Sequence, residues 1–183
     1  MITRLGRTSD SADILALQER NLFANLSEAD RGDGFVTTIF TPTLIQEFVA
    51  IDGVFVAEHA DRVVGYAFGG PWSMYDRWPI FPVMTANFPT LWFDHQPLNR
   101  ETSFQYGPIC LDRSVRGSGL LPQLFATVCA AFTPLIGTTF INRRNARSMR
   151  AHTRTLGLTV VDHFEFNDQS YAILAFSTQP KAR

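Results

Sequence analysis

Two short stretches of this 183-residue chain carry residues whose types and spacing suit chemistry. The first is Arg116-Gly117-Ser118-Gly119, between an apolar run ending at Leu111 and an amphipathic run beginning at Leu120. Glycines let the backbone turn sharply there, so several N–H groups converge on one point. A helix start adds a partial positive charge, and Arg113 and Arg116 add full ones. Such a turn suits a phosphate or diphosphate; the plainer reading is a helix start that needs small residues. It has neither the Lys-Ser/Thr ending of a P-loop nor the GxGxxG spacing of a dinucleotide fold.

The second stretch holds Asn145, Ser148 and His152, at spacings of three and four. Ser148 and His152 then share one helical face, and a histidine can donate a proton near neutral pH. Its plainer role is a helix-surface or core histidine with its hydrogen bonds satisfied, and Thr153 is a competing, weaker acid. Arg143, Arg147, Arg150 and Arg154 recur at four, three and four, with Arg144 beside them, and no carboxylate interrupts 141–160. A solvated basic face is the default reading, with a bound phosphate or a nucleic acid as functional ones.

The elements that position these residues follow from periodicity. Residues 2–7 read as a short strand. Asp10 then N-caps a helix carrying Ile14, Leu15, Leu17, Leu22 and Leu26. Thr41-Pro42 starts another, with Leu44, Ile45, Phe48 and Val49 as its stripe. Strands are expected at 53–59 and 62–69 around an Ala60-Asp61 turn, and FQYGPICLD (104–112) reads as a buried strand. A helix over about 120–132, with Leu121, Leu124, Phe125, Val128 and Phe132 on one face, is stopped by Pro134. LIGTTFIN follows as a strand. Asn145 caps a helix over 146–156 that ends at Gly157, and a hairpin of 159–166 and 170–177 turns at Asn167-Asp168. This order demands a central sheet with helices on its faces, an α/β (α+β) fold.

Composition narrows the class. Apolar residues make up 45% and charged residues 18%, which excludes a disordered or collagen-like chain. Sixteen Lys+Arg face 17 Asp+Glu for a net charge of -1, so no global pull toward nucleic acid or membrane exists. No apolar stretch reads as a membrane span, and the amino terminus lacks the apolar core of a secretory signal. Cys110 and Cys129 lack metal-like spacing and read as buried free thiols. The expectation is a reduced, cytoplasmic, single-domain protein.

CLDRSVRGSGLLPQLF resembles the acyl-CoA-binding segment of the GNAT superfamily of N-acetyltransferases, whose pattern is Arg/Gln-x-x-Gly-x-Gly/Ala after a core strand. Arg116, Gly119 and Leu121 fall on its fixed positions. VFVAEHADRVVGYAFGG resembles the hairpin before that segment, and NARSMRAHTRTLGL the later helix. The element order matches too, over all but 71–103. The resemblance implies a mixed central sheet of about six or seven strands flanked by about four helices. One domain would span 1–183, with 71–103 inserted between the third and fourth strands.

It further implies acetyl-CoA as co-substrate and direct attack by the neutral primary amine of a small molecule or protein amino terminus, with no metal required. Ile109, Cys110 and Leu111 would offer backbone groups to the pantetheine arm. The segment Arg116, Gly117, Ser118, Gly119, Leu120 and Leu121 would hold the diphosphate, and Asn145 and Ser148 would add to the CoA site. His152 stands near the family's proton-donating Tyr, although one extra residue precedes Gly157. Tyr106, like His95 or Glu101, is a candidate base through water. Leu121 departs from the family's Gly or Ala, with its side chain expected in the core, and Pro122 has no N–H to donate. A CoA- or metabolite-sensing module of the same fold is the alternative.

Residues 71–103 hold Trp72, Tyr75, Trp78, Phe81, Phe88, Trp92 and Phe93 but no sustained period. They read equally as a pocket wall, with Asp76, Asp94, His95 and Glu101 at its rim, and as extra packing. A homodimer interface is a third reading.

Overall fold

The computed structural model describes residues 1–32, 34–133 and 135–179. In chain order, its first half contains β1 (Ile2–Leu5), α1 (Ser11–Asn21), α2 (Glu28–Arg31), α3 (Pro42–Val49), β2 (Val54–His59) and β3 (Arg62–Gly70). Then come α4 (Ile80–Thr85), β4 (Trp92–Phe93), β5 (Gln96–Pro97), β6 (Ser103–Leu111) and α5 (Leu120–Phe132). β7 (Ile136–Asn142), α6 (Ala146–Arg150), β8 (Thr159–Phe166) and β9 (Gln169–Ser177) complete it. Seven strands form one mixed sheet in the order β1-β2-β3-β6-β7-β9-β8, and β4 and β5 form a separate small hairpin. The stop expected at Pro134 lies outside the described residues.

The chain divides into two compact units, Met1–Gly70 with Tyr106–Val128, and Pro71–Gln105 with the residues from Cys129 on.

In the first unit, β1, β2 and β3 form antiparallel pairs, and the β2–β3 turn uses Ala60 and Asp61 at positive φ. Thr41 caps α3 by accepting the Leu44 N–H at 3.3 Å. Ile45 and Phe48 of that helix are buried, as are Ile14 and Leu17 of α1. Phe48 and Phe68 both pack against the Phe40 ring, at 5.2 and 4.1 Å between centroids. Asp10 departs from expectation. Its carboxylate does not cap α1 but accepts the Arg7 N–H (2.7 Å) and two bonds from Arg4 (2.8 and 2.9 Å). The cation on β1 offers a stronger partner than the free helix amides.

The second unit contains the parallel pairing, Ser103 opposite Ile136 through Gln105 opposite Thr138, and the antiparallel β7–β9 and β9–β8 ladders. Asn167 and Asp168 turn the last hairpin at positive φ, as their types favour. The aromatic segment is mostly interior here. Trp72, Tyr75, Phe81, Met84 and Phe88 are all buried, and Phe81 packs edge-on against Phe140 at 5.4 Å. Phe140 in turn meets Tyr171 and Phe164. Trp72 Nε1 donates to Ser103 Oγ at 3.0 Å, tying the segment to β6. Packing therefore accounts for most of these rings. Trp92 alone among the three tryptophans stays largely exposed, at 64%.

Candidate functional site

β6 ends at Leu111, and Asp112 folds the chain back. Its Oδ1 accepts the N–H and hydroxyl of Ser114 at 3.0 and 2.8 Å, while its own N–H donates to Val64 on β3 at 2.8 Å. Those Ser114 bonds, helped by Arg20 at 3.3 Å, hold the Asp112 carboxyl below its ordinary range against partial burial. Beneath the turn, Val115 and Leu120 pack on Ala57, with Val64 and Leu111 around them. The turn is thus anchored by an apolar base and capped polar groups.

Gly117 and Gly119 follow at φ +81° and +83°, where an L side chain is strained. Both are exposed, and a Cβ built on either meets nothing within 4 Å. The main chain therefore lies open just before α5, whose first amides have no intrahelical acceptors. Ser118 spends its hydroxyl inside the turn, donating to the Val115 carbonyl at 2.6 Å. Leu120 is 1% exposed and Leu121 half-buried, so the core position at the helix start belongs to Leu120. The buried stripe runs Leu120, Leu124, Val128, one residue off the expected face at its first turn.

The two arginines are committed. Arg113 pairs with Asp30 at 3.0 Å, and Arg116 donates from Nε to the Leu111 carbonyl (3.0 Å) and from a terminal nitrogen to Asn21 Oδ1 (2.8 Å). Arg116 thus acts first as a brace for the turn. Asn21, which no sequence signal marked, is its partner. An asparagine at the end of a helix is too common to stand out.

On β6, Ile109 and Leu111 are half-buried and Cys110 is buried. Burial pushes the Cys110 thiol up to about 12 despite Arg116 and Arg20. Cys110 is a packed thiol, and Cys129 is free and half-buried. Tyr106 is fully buried, its ring edge-on to Phe125 at 5.5 Å.

In the second unit, Asn145 caps α6 as expected, accepting the Ser148 N–H at 3.1 Å. The helix then changes character. Ala151–Thr155 form a π-helical turn, and the Leu156 N–H reaches back five residues to the Ala151 carbonyl at 3.1 Å. Such a turn holds one residue more than an α-turn. His152 sits inside it, 5% exposed. Its Nδ1 lies 2.8 Å from the Ser148 carbonyl and 3.3 Å from the Ser148 hydroxyl. Burial lowers its pKa, only partly offset by the Ser148 carbonyl. A neutral ring with its proton on Nδ1 presents Nε2 as an acceptor, so the expected proton-donor role does not fit the resting state. Thr153 donates to the Met149 carbonyl at 2.8 Å.

Arg143, Arg144, Arg150 and Arg154 are exposed and have no ion-pair partner among the described residues, as on a solvated face. Asp76 pairs with Arg100 at 2.6 Å, and Asp94 and His95 form the exposed β4–β5 turn. No cluster of three or more His, Cys, Asp or Glu suited to a metal occurs among the described residues. Nor is any helix there long and apolar enough to cross a membrane.

No family model matches the chain, and no curated protein does. Solved structures do. An N-acetyltransferase from Staphylococcus aureus Mu50 superposes with a TM-score of 0.63 at 17% identity, covering 97% of this chain and 98% of that one. A GNAT-family acetyltransferase from Streptococcus agalactiae gives 0.64 at 14% identity, covering 97% and 95%. The acetyltransferase yncA from Salmonella typhimurium, described as putative and solved with its cofactor acetyl-CoA, gives 0.62 at 15%, covering 100% and 96%. The strand order, the open glycine turn before α5 and these superpositions agree: this chain has the fold of the GNAT acetyltransferases.

Proposed function

We propose that the protein is an N-acetyltransferase that uses acetyl-CoA to acetylate a primary amine of a small molecule or a protein amino terminus. The observation that carries this reading is the turn at 116–121. Two exposed positive-φ glycines leave its main chain uncovered by side chains before a 13-residue helix, the Ser118 N–H donates back to the Val115 carbonyl at 3.4 Å, and the brace from Arg116 holds the turn in place. Gly117, Ser118, Gly119, Leu120 and Leu121 would hold the diphosphate through main-chain N–H groups, with Pro122 contributing none. Arg116 would serve by fixing those amides. The half-buried strand positions Ile109 and Leu111, with Cys110, would present backbone to the pantetheine arm. Asn145 and Ser148 would complete the CoA contacts.

Transfer needs the two reactants held close and the thioester carbonyl polarised, and neither a metal nor a covalent enzyme intermediate. His152, neutral and proton-accepting at Nε2, is the candidate for proton handling. Tyr106 is the second, through its buried hydroxyl.

Thiol release from acetyl-CoA over a panel of amines tests the proposal, with a thermal-shift comparison of acetyl-CoA, ATP and NAD beside it. Acetyl-CoA alone should stabilise the protein, and at least one amine should release CoA. Stabilisation without turnover on any amine favours the sensing module, while stabilisation by ATP or NAD instead removes the acyl-CoA reading.

A further inference from the structure

Asn21, the last residue of α1, makes three hydrogen bonds in three directions. Its carbonyl accepts the Val36 N–H at 2.9 Å, and its Nδ2 donates to the Leu17 carbonyl at 2.8 Å. Its Oδ1 accepts from Arg116 at 2.8 Å. The residue is 5% exposed, so each of these groups needs a partner. The Leu17 bond also fixes which way the amide faces. A flipped amide would set its carbonyl oxygen against the Leu17 carbonyl and its NH2 against the guanidinium, losing both bonds.

The Arg116 side chain bridges the two ends of the glycine turn's entry. Its Nε ties residue 116 to the Leu111 carbonyl, closing 111–116 into a ring. A guanidinium held by one bond on a flexible stem swings; held at a second point by a fixed, buried acceptor it does not. The chain leaves that ring directly into Gly117 and Gly119, which have no side chains to stiffen them.

We infer that Asn21 is a positioning residue for the acyl-CoA diphosphate: acting through Arg116, it pre-sets the amides of 117–119. This deepens the acetyl-CoA reading of the turn and rests on it. Arg20 to Asp112 and Arg113 to Asp30 run between the same two regions, yet both pairs are solvent-exposed and weak. Asn21 is the buried link. Because the amides bind the ground state and the transition state alike, the effect belongs in affinity and KM rather than in kcat.

The test is calorimetric titration of CoA into wild type, Asn21→Ala, Asn21→Asp, Arg116→Ala and the Asn21→Ala/Arg116→Ala double variant, with melting temperatures and acetyl-CoA kinetics alongside. Asn21→Ala should weaken CoA binding about tenfold and raise KM for acetyl-CoA with kcat within about twofold. The double variant should bind CoA no more weakly than Arg116→Ala, since both act through one link. Asn21→Asp keeps an acceptor for Arg116 but sets oxygen against the Leu17 carbonyl. It should melt lower yet bind CoA near the wild-type affinity, which a merely structural role would not allow. Equal CoA affinity in wild type and Asn21→Ala, or additive losses in the double variant, overturns the inference alone. Wild type that binds no CoA overturns the acetyl-CoA reading and this inference together. If Asn21→Ala does not fold, the contrast of Asn21→Asp with Arg116→Ala decides: both losing affinity alike refutes the link.

Discussion

Nδ1 of His152 lies 2.8 Å from the carbonyl oxygen of Ser148, one turn earlier in the same helix. A carbonyl only accepts, so the neutral ring keeps its proton on that nitrogen. Burial, partly opposed by that bond, holds the imidazole below its ordinary 6.5. Below that value the unfolded chain therefore binds more protons than the folded one. Stability should be level above pH 6.5 and decline as pH falls beneath it. His152→Gln should flatten this decline between about pH 5 and about pH 7, read as melting temperature against pH. An unaltered slope would show that another group titrates there.

Gly117 and Gly119 separate folding from binding. Alanine at either position meets no steric obstacle, so the cost is the positive φ alone, about 1 kcal/mol. Gly119→Ala should therefore shift the melting temperature by only a few degrees, by about 2–4 °C for a chain of this size. The same variant should raise KM for acetyl-CoA several-fold, because the strained turn re-aims the amides. A normal KM with an equally small thermal shift would detach the turn from the co-substrate.

Cys110, pushed up to about 12 by burial, carries almost no thiolate at neutral pH. A thiol-specific disulfide reagent at about pH 8 should leave it unlabelled in the native protein and label it on denaturation. Cys129, half-buried and pushed up to about 11, should react slowly. Rapid labelling of both thiols in folded protein contradicts this.

Arg4 lies between two carboxylates, with two bonds to Asp10 and two to Glu58 at 2.8 and 2.6 Å. Burial alone would raise the Asp10 pKa; the bonds from Arg4 and the Arg7 N–H outweigh it and hold it below 3.8. Asp10 thus adds stability that is present above pH 3.8 and lost as pH falls toward its native pKa. Arg4→Met leaves Asp10 nearly buried without its cation and should cost about 2–3 kcal/mol by urea denaturation. Asp10→Asn should remove this acid-side loss from the stability profile.

Most of the sheet was legible because its signals are local. Ala60-Asp61 and Asn167-Asp168 announce their hairpins, and Gly157 at φ +76° ends its helix as a C-terminal glycine does. Thr41-Pro42 and Asn145 sit at real helix starts. What depended on distant partners was hidden. Arg116 reads as a free cation beside a phosphate site until Leu111 and Asn21 are seen to take it. Asp10 resembles a cap until Arg4 claims its carboxylate. Leu120 and Leu121 are equivalent as letters; which one faces Ala57 depends on the phase of the turn before them. The π-turn at Ala151–Thr155 adds one residue to the helical count, and periodicity has no register for that. The aromatic segment gave no period because its short elements, α4 and the β4–β5 hairpin, each span six residues or fewer.

That segment has a consequence for how the protein can change. Trp72, Tyr75, Phe81 and Phe88 are masonry for the second unit, so exchanging the stretch wholesale would hollow out the wall they fill. Its rim, from Trp92 through Asp94 and His95, faces water with little at stake, and variation among descendants of this chain should gather at that hairpin tip.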